Sequence, residues 1–86
     1  MSQGKCYYVY MLRCSTGELY TGYTTNLRKR VETHNKGQGS RFTKARLPVK
    51  LVYSEKLRSR KEAMRRERQI KRKSRKEKIQ LIAKAV

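Results

Sequence analysis

Acidic residues are scarce in this 86-residue chain: six Asp and Glu stand against 24 Lys and Arg, for a formal net charge of +18. Solubility alone asks for mixed signs, whereas a field of one sign asks for a polyanion to neutralise it. Nucleic acid is the favoured partner and an anionic membrane the second. Long apolar runs are missing too. The longest, Cys6 to Leu12, falls far short of the roughly 20 residues of a spanning helix, which argues against a membrane role. Lys5 leads into a β-type stretch with no small-residue cleavage site behind it, so no secretory leader is read. Cysteine is confined to Cys6 and Cys14. On one unbroken strand at ~3.3 Å per residue they lie about 26 Å apart, beyond the roughly 7 Å a disulfide tolerates. Their spacing is not that of zinc ligands either. A reducing compartment is implied, and the cytoplasm is the expected location. No repeat, linker or shift of composition divides the chain. One domain over residues 3–82 is expected, with a modest core, since a chain this short buries about two-thirds of its unfolded surface.

What is present alternates between strand and helix patterns. Residues 5–13 read as a first strand whose two faces, Tyr8-Tyr10-Leu12 and Tyr7-Val9-Met11, are both apolar. A strand covered on both sides belongs at the centre of a sheet with helices above and below. Cys14-Ser15-Thr16-Gly17 is turn chemistry, and Glu18 to Thr24 returns as a hairpin partner. With the turn centred near Thr16, Tyr10 and Tyr20 share one face as diagonal neighbours; a one-residue slip separates them. Thr25 or Asn26 caps a helix that runs to about Asn35 and stops at Gly37. Residues 36–48 read as a loop, and Val49 to Glu55 as a third strand with Val49, Leu51 and Tyr53 on one face. Two last helices open with capping boxes, Ser59…Glu62 and Ser74…Glu77. The first buries Ala63 and Ile70. The second packs through Ile79, Leu81, Ile82 and Ala85. The fold class is α+β, sandwich-like, with a central first strand and about three flanking helices.

Two residues break this pattern. Arg30 falls with His34 on the apolar stripe of Leu27 and Val31, where an arginine needs an acceptor or a job. Glu67 lies mid-helix beside the stripe of Ala63 and Ile70, without the capping role that accounts for Glu62 and Glu77. Each has an ordinary explanation: Arg30 can snorkel from a helix edge, and Glu67 can pair with Lys71 at i,i+4. Six tyrosines in a small sheet protein are mostly core and rim, and His34 alone reads as structural. Gly22 most simply allows close approach of backbone to the first helix. In the 36–48 loop, Lys36, Arg41, Lys44 and Arg46 suit phosphates and Phe42 suits base stacking; Arg66 and Lys71 extend this basic surface on the late helix.

Taken together, Tyr8-Val9-Tyr10, Tyr20-Thr21-Gly22, Arg30, His34 and Glu67 resemble the GIY-YIG endonuclease superfamily, in order and on these elements. The stretches Leu19 to Leu27 and Pro48 to Tyr53 are similar to its small single-domain bacterial group, UPF0213-like. Tyr8 stands where the family's first glycine is expected and Thr21 where its isoleucine is; both departures touch packing rather than chemistry. The resemblance implies a three-stranded antiparallel sheet flanked by helices, and cleavage of DNA with one weakly bound Mg²⁺ or Mn²⁺ and no small-molecule cofactor. It implies that Glu67 holds the metal, that Arg30 contacts the scissile phosphate, that Tyr10 and Tyr20 line the attack side, and that His34 assists. DNA is favoured over RNA, with little sequence specificity, a preference for structure or single strands, or a protein partner that delivers substrate. A non-catalytic nucleic-acid-binding module, or a docking domain for a DNA-processing protein, are the competing readings.

Overall fold

The alternation of apolar residues in the first strand decides the architecture seen in the computed structural model, which describes residues 6–85. Residues 3–5 of the expected domain, and Lys5 of the expected strand, lie outside the described residues. Strand β1 (Tyr7–Cys14) is central in a three-stranded antiparallel sheet of order β2-β1-β3, between β2 (Leu19–Thr24) and β3 (Val49–Leu57). Val9 and Met11 point to one face, Tyr10, Leu12 and Cys14 to the other, and all five are buried. Each face is therefore a core. Gly17, at φ 99°, closes the hairpin. The register pairs Tyr10 with Gly22 and Leu12 with Tyr20, so both tyrosines stand on the same face.

The Tyr10 face is covered by α1 (Leu27–Asn35), whose Leu27 and Val31 pack on Tyr10, Leu12, Cys14 and Val49. Asn26 caps α1 by accepting from the Lys29 amide at 3.1 Å, and Gly37 ends it at φ 79°. Asn35 then acts as a clamp: its amide donates to the Val49 carbonyl at 3.1 Å and accepts from the Val49 N–H at 2.8 Å. The Val9 face is covered by α3 (Arg60–Lys71), through Ala63 and Ile70, and by α4 (Arg75–Lys84), through Leu81 and Ile82. Burial of Ile70 contributes about 1.5–3 kcal/mol. Arg75 ties α4 to the hairpin by donating to the Gly17 carbonyl at 2.9 Å. No helix among the described residues is long and apolar enough to cross a membrane.

Three local expectations are corrected. Residues 36–48 are not all loop, because Arg41–Lys44 form a short helix, α2, capped by Ser40. Val49 and Tyr53 do not share a face. A bulge at Val52 shifts the β1–β3 register between Met11 and Leu12, so Val49 joins the α1 side and Tyr53 the α3 side. In α4, Ile79 and Ala85 stay exposed, since only Leu81 and Ile82 reach the core.

Candidate active site

Gly22 makes room for the centre of the site. A Cβ at this position would lie 2.6 Å from the Tyr10 hydroxyl, so the phenol crosses β2 where only a glycine leaves space. The close approach is thus of a side chain rather than of the helix backbone. Tyr10 is 1% exposed and its hydroxyl meets two side chains from α1. Arg30 Nε donates to it at 3.4 Å, and His34 Nε2 lies 3.0 Å away. Arg30 and His34 are four residues apart on one helix stripe, which aims both at the same phenol. The acceptor that a core-facing arginine requires is therefore Tyr10.

The chain of contacts continues behind His34. Its Nδ1 lies 2.8 Å from Thr43 Oγ1 on α2, and both residues are fully buried. Thr43 in turn donates to the Ser40 carbonyl at 3.2 Å, while Ser40 caps the Thr43 N–H. Gly39 clears the ring: a Cβ there would fall 2.1 Å from His34 Nδ1. Tyr20 packs edge-on against the same imidazole, with centroids 5.2 Å apart, and lies near-parallel to Phe42 at 6.1 Å.

Glu67 approaches from α3 with its side chain 19% exposed and its carboxylate 3.6 Å from Lys71 Nζ. Its charge is felt at Tyr10. Burial pushes the Tyr10 phenol above its ordinary range; the Arg30 bond and charge pull it down, and Tyr20 and Glu67 push it further up. Burial, then the Arg30 charge, hold the His34 imidazole below its usual value, so the ring is neutral at pH 7. Tyr10, Tyr20, Arg30 and His34 are thus brought into contact from β1, β2 and α1, whereas Glu67 reaches Tyr10 from α3 through its charge alone.

The basic residues fall into two sets. Lys36, Arg41 and Lys44 are exposed around α2. Arg46 is held by Glu18 at 3.4 Å and by the Phe42 carbonyl at 2.8 Å, and its guanidinium covers the Phe42 ring at 3.9 Å. A base stacks on Phe42 only by moving Arg46 from that face. Arg66 pairs with Glu55 at 2.9 Å, and Lys71, its side chain 52% exposed, pairs with Glu67 at 3.6 Å. The open cations of α3 are Arg60, Lys61, Arg65 and Arg68, grouped around Met64, and Arg60 Nε also reaches the Tyr23 hydroxyl at 3.3 Å.

Among the described residues no group of three or more His, Cys, Asp or Glu side chains could cage a metal. A lone, mostly buried carboxylate fits one hard cation that takes its other oxygens from substrate and water, as Mg²⁺ does. Glu67 is the side chain able to hold it. Thr43 and Gly39 escaped the reading of the sequence. The available signal was Ser40-x-x-Thr43, a capping pattern inside a stretch read as loop.

The GIY-YIG catalytic domain family matches residues 6–80. A UPF0213 protein of Streptococcus agalactiae is 55% identical over 75 residues, covering 87% of this chain and 85% of that protein. One of Staphylococcus haemolyticus is 53% identical over 76 residues, covering 88% and 93%. The solution structure of the UPF0213 protein BH0048 of Bacillus halodurans is similar with a TM-score of 0.59 and 42% identity, over 91% of this chain and 83% of that one. A protein of E. faecalis is similar with a TM-score of 0.64 and 36% identity, over 98% and 90%. By sequence and by fold, this chain belongs to the UPF0213 group of the GIY-YIG catalytic domain family.

Proposed function

We propose that this chain hydrolyses phosphodiester bonds of DNA, with Tyr10 as the group that takes the proton of the attacking water. The observation that carries the reading is the double contact of its hydroxyl: a cation on one side, Arg30, and a neutral imidazole on the other, His34. A phenol whose pKa burial has raised is a poor base if it must first ionise. It avoids that step by handing its own proton to His34 Nε2 as it receives one from water. The water attacks phosphorus, the P–O bond breaks, and the departing alkoxide takes a proton from solvent. Among the described residues Tyr10 alone of the two tyrosines has such an acceptor, and half-buried Tyr20 and Arg30 border the approach to it.

Arg30 spends only Nε on Tyr10, so its two terminal nitrogens remain to donate to a phosphate. Glu67 would hold a Mg²⁺ or Mn²⁺ ion, which would supply charge stabilisation to the phosphodiester under attack. Lys36, Arg41 and Lys44 at α2, together with the cations around Met64, contact phosphates rather than base edges, which supports binding of low sequence specificity. The two unpaired thiols suit a reducing compartment, the cytoplasm in this reading.

The test is nicking of supercoiled plasmid in Mg²⁺ or Mn²⁺. Glu67→Ala is expected to lower the rate by about a thousandfold or more, several kcal/mol of metal stabilisation, while DNA affinity survives. Binding without any cleavage by the wild type would support the binding-module alternative. Equal cleavage by wild type and Glu67→Ala would reveal a contaminant and remove the mechanism.

A further inference from the structure

The proton of the Tyr10 phenol fixes more of the site than Tyr10 itself. Among the described residues its oxygen has two hydrogen-bond partners, Arg30 Nε and His34 Nε2. A guanidinium can only donate. The phenol proton therefore has His34 Nε2 as its acceptor, which requires Nε2 to be bare. A neutral ring with a bare Nε2 carries its proton on Nδ1, and Nδ1 lies 2.8 Å from Thr43 Oγ1. Thr43 must then accept, so its own proton goes to Ser40, whose carbonyl lies 3.2 Å and whose hydroxyl lies 3.0 Å away. Every proton in the row Tyr10, His34, Thr43 has an acceptor. The reverse assignment puts N–H on Nε2 and leaves the Tyr10 proton without a protein acceptor on a side chain only 1% exposed, at a cost of about 1–3 kcal/mol.

We propose that Thr43 is a positioning residue: it holds His34 as the Nδ1–H tautomer and so keeps Nε2 open to receive the Tyr10 proton. The inference deepens the cleavage mechanism and rests on it for its consequence, though not for its geometry. Three features serve this one hydroxyl. Helix α2 is a single turn whose Ser40 cap orients Thr43, Gly39 vacates the space the imidazole needs, and Thr43 is completely buried although its neighbours Arg41 and Lys44 are exposed. The hydroxyl also closes the α2 cap by accepting from the Ser40 N–H at 3.4 Å, so one oxygen ties the helix cap to the imidazole Nδ1.

The chain has a single histidine, so ¹⁵N-histidine labelling gives one pair of ring nitrogen signals without ambiguity. At pH 7.5 the wild type is expected to show an N–H-type Nδ1 and a bare Nε2. Thr43→Ser, which keeps the hydroxyl, is expected to preserve that pattern and to keep cleavage within about threefold. Thr43→Val keeps the shape and removes the acceptor; it is expected to move the proton toward Nε2 and to lower kcat about a hundredfold or more with KM unchanged, as a wrong tautomer does elsewhere. A wild-type ring protonated at Nε2 overturns the proposal, as does an unchanged tautomer in Thr43→Val. Should Thr43→Val not fold, the wild-type spectrum still decides. The ring signals need no nuclease activity. An inactive protein with the Nδ1–H tautomer would discard the cleavage mechanism and leave the positioning intact.

Discussion

One hydrogen on Gly22 separates an open site from a blocked one. Any Cβ there would overlap the Tyr10 hydroxyl at 2.6 Å, and the atom that must yield is the one held by Arg30 and His34. Gly22→Ala is accordingly expected to cost about 1–3 kcal/mol as an overpacked position, read as a lower melting temperature. It should also cut plasmid nicking at least a hundredfold, because the phenol leaves its partners. Nicking at the wild-type rate would show that the Tyr10 position does not matter. At this scale the sequence was legible where residues looked misplaced. Arg30 on an apolar stripe and Glu67 beside one were conspicuous because charge on such a face needs a partner. Thr43 was not conspicuous, since a threonine among Ser, Gly and Lys is ordinary turn composition, and its partner His34 lies on a separate helix.

Among the elements, β2 carries the family's departure, Thr21, in a telling place. Its side chain faces the α3 layer opposite Met11, it is 3% exposed, and its hydroxyl has no hydrogen-bond partner among the described residues. A buried, unsatisfied hydroxyl destabilises by about 1–3 kcal/mol. Thr21→Val keeps the volume and the β-branched shape and is expected to raise unfolding stability by about 1 kcal/mol in urea, with cleavage unchanged, since Thr21 faces away from Tyr10. A loss of stability would mean that this hydroxyl has a partner after all. The hairpin register was legible from the turn, because a turn centred near Thr16 gives the even pairing sums that put both tyrosines on one face. The Val52 bulge was not legible. An extra residue in a strand leaves no mark on a run where Val49, Leu51, Val52 and Tyr53 are all apolar. Helix α2 was hidden for a similar reason, as four residues are too few to display a 3.6-residue period.

For the whole molecule, charge is the dominant property, and the structure divides it. Arg46, Arg66 and Lys71 are spent on Glu18, Glu55 and Glu67, while Arg60, Lys61, Arg65 and Arg68 border an open groove on α3. If this groove meets phosphates, each cation adds about 0.9 to the salt slope of DNA binding. Arg65→Gln combined with Arg68→Gln is expected to reduce that slope by about 1.8 in titrations across NaCl concentration. Arg66→Gln is expected to leave the slope unchanged and to lower stability by breaking the Glu55 pair. A slope unaffected by the double change would move the nucleic-acid path away from α3 and toward Lys36, Arg41 and Lys44. The distinction could not be read from composition, which counts cations without saying which have partners.

All three scales meet at the Tyr10 phenol, where sheet register, helix stripe and basic surround converge. The most direct test is the single-turnover rate of plasmid nicking in Mg²⁺ by Tyr10→Phe beside the wild type. Phenylalanine keeps the ring over Gly22 and removes only the atom between Arg30 and His34. The predicted result is a loss of about 10²–10⁴-fold, the usual range for a group that moves the proton, with DNA affinity unchanged. Cleavage by Tyr10→Phe at the wild-type rate would contradict it.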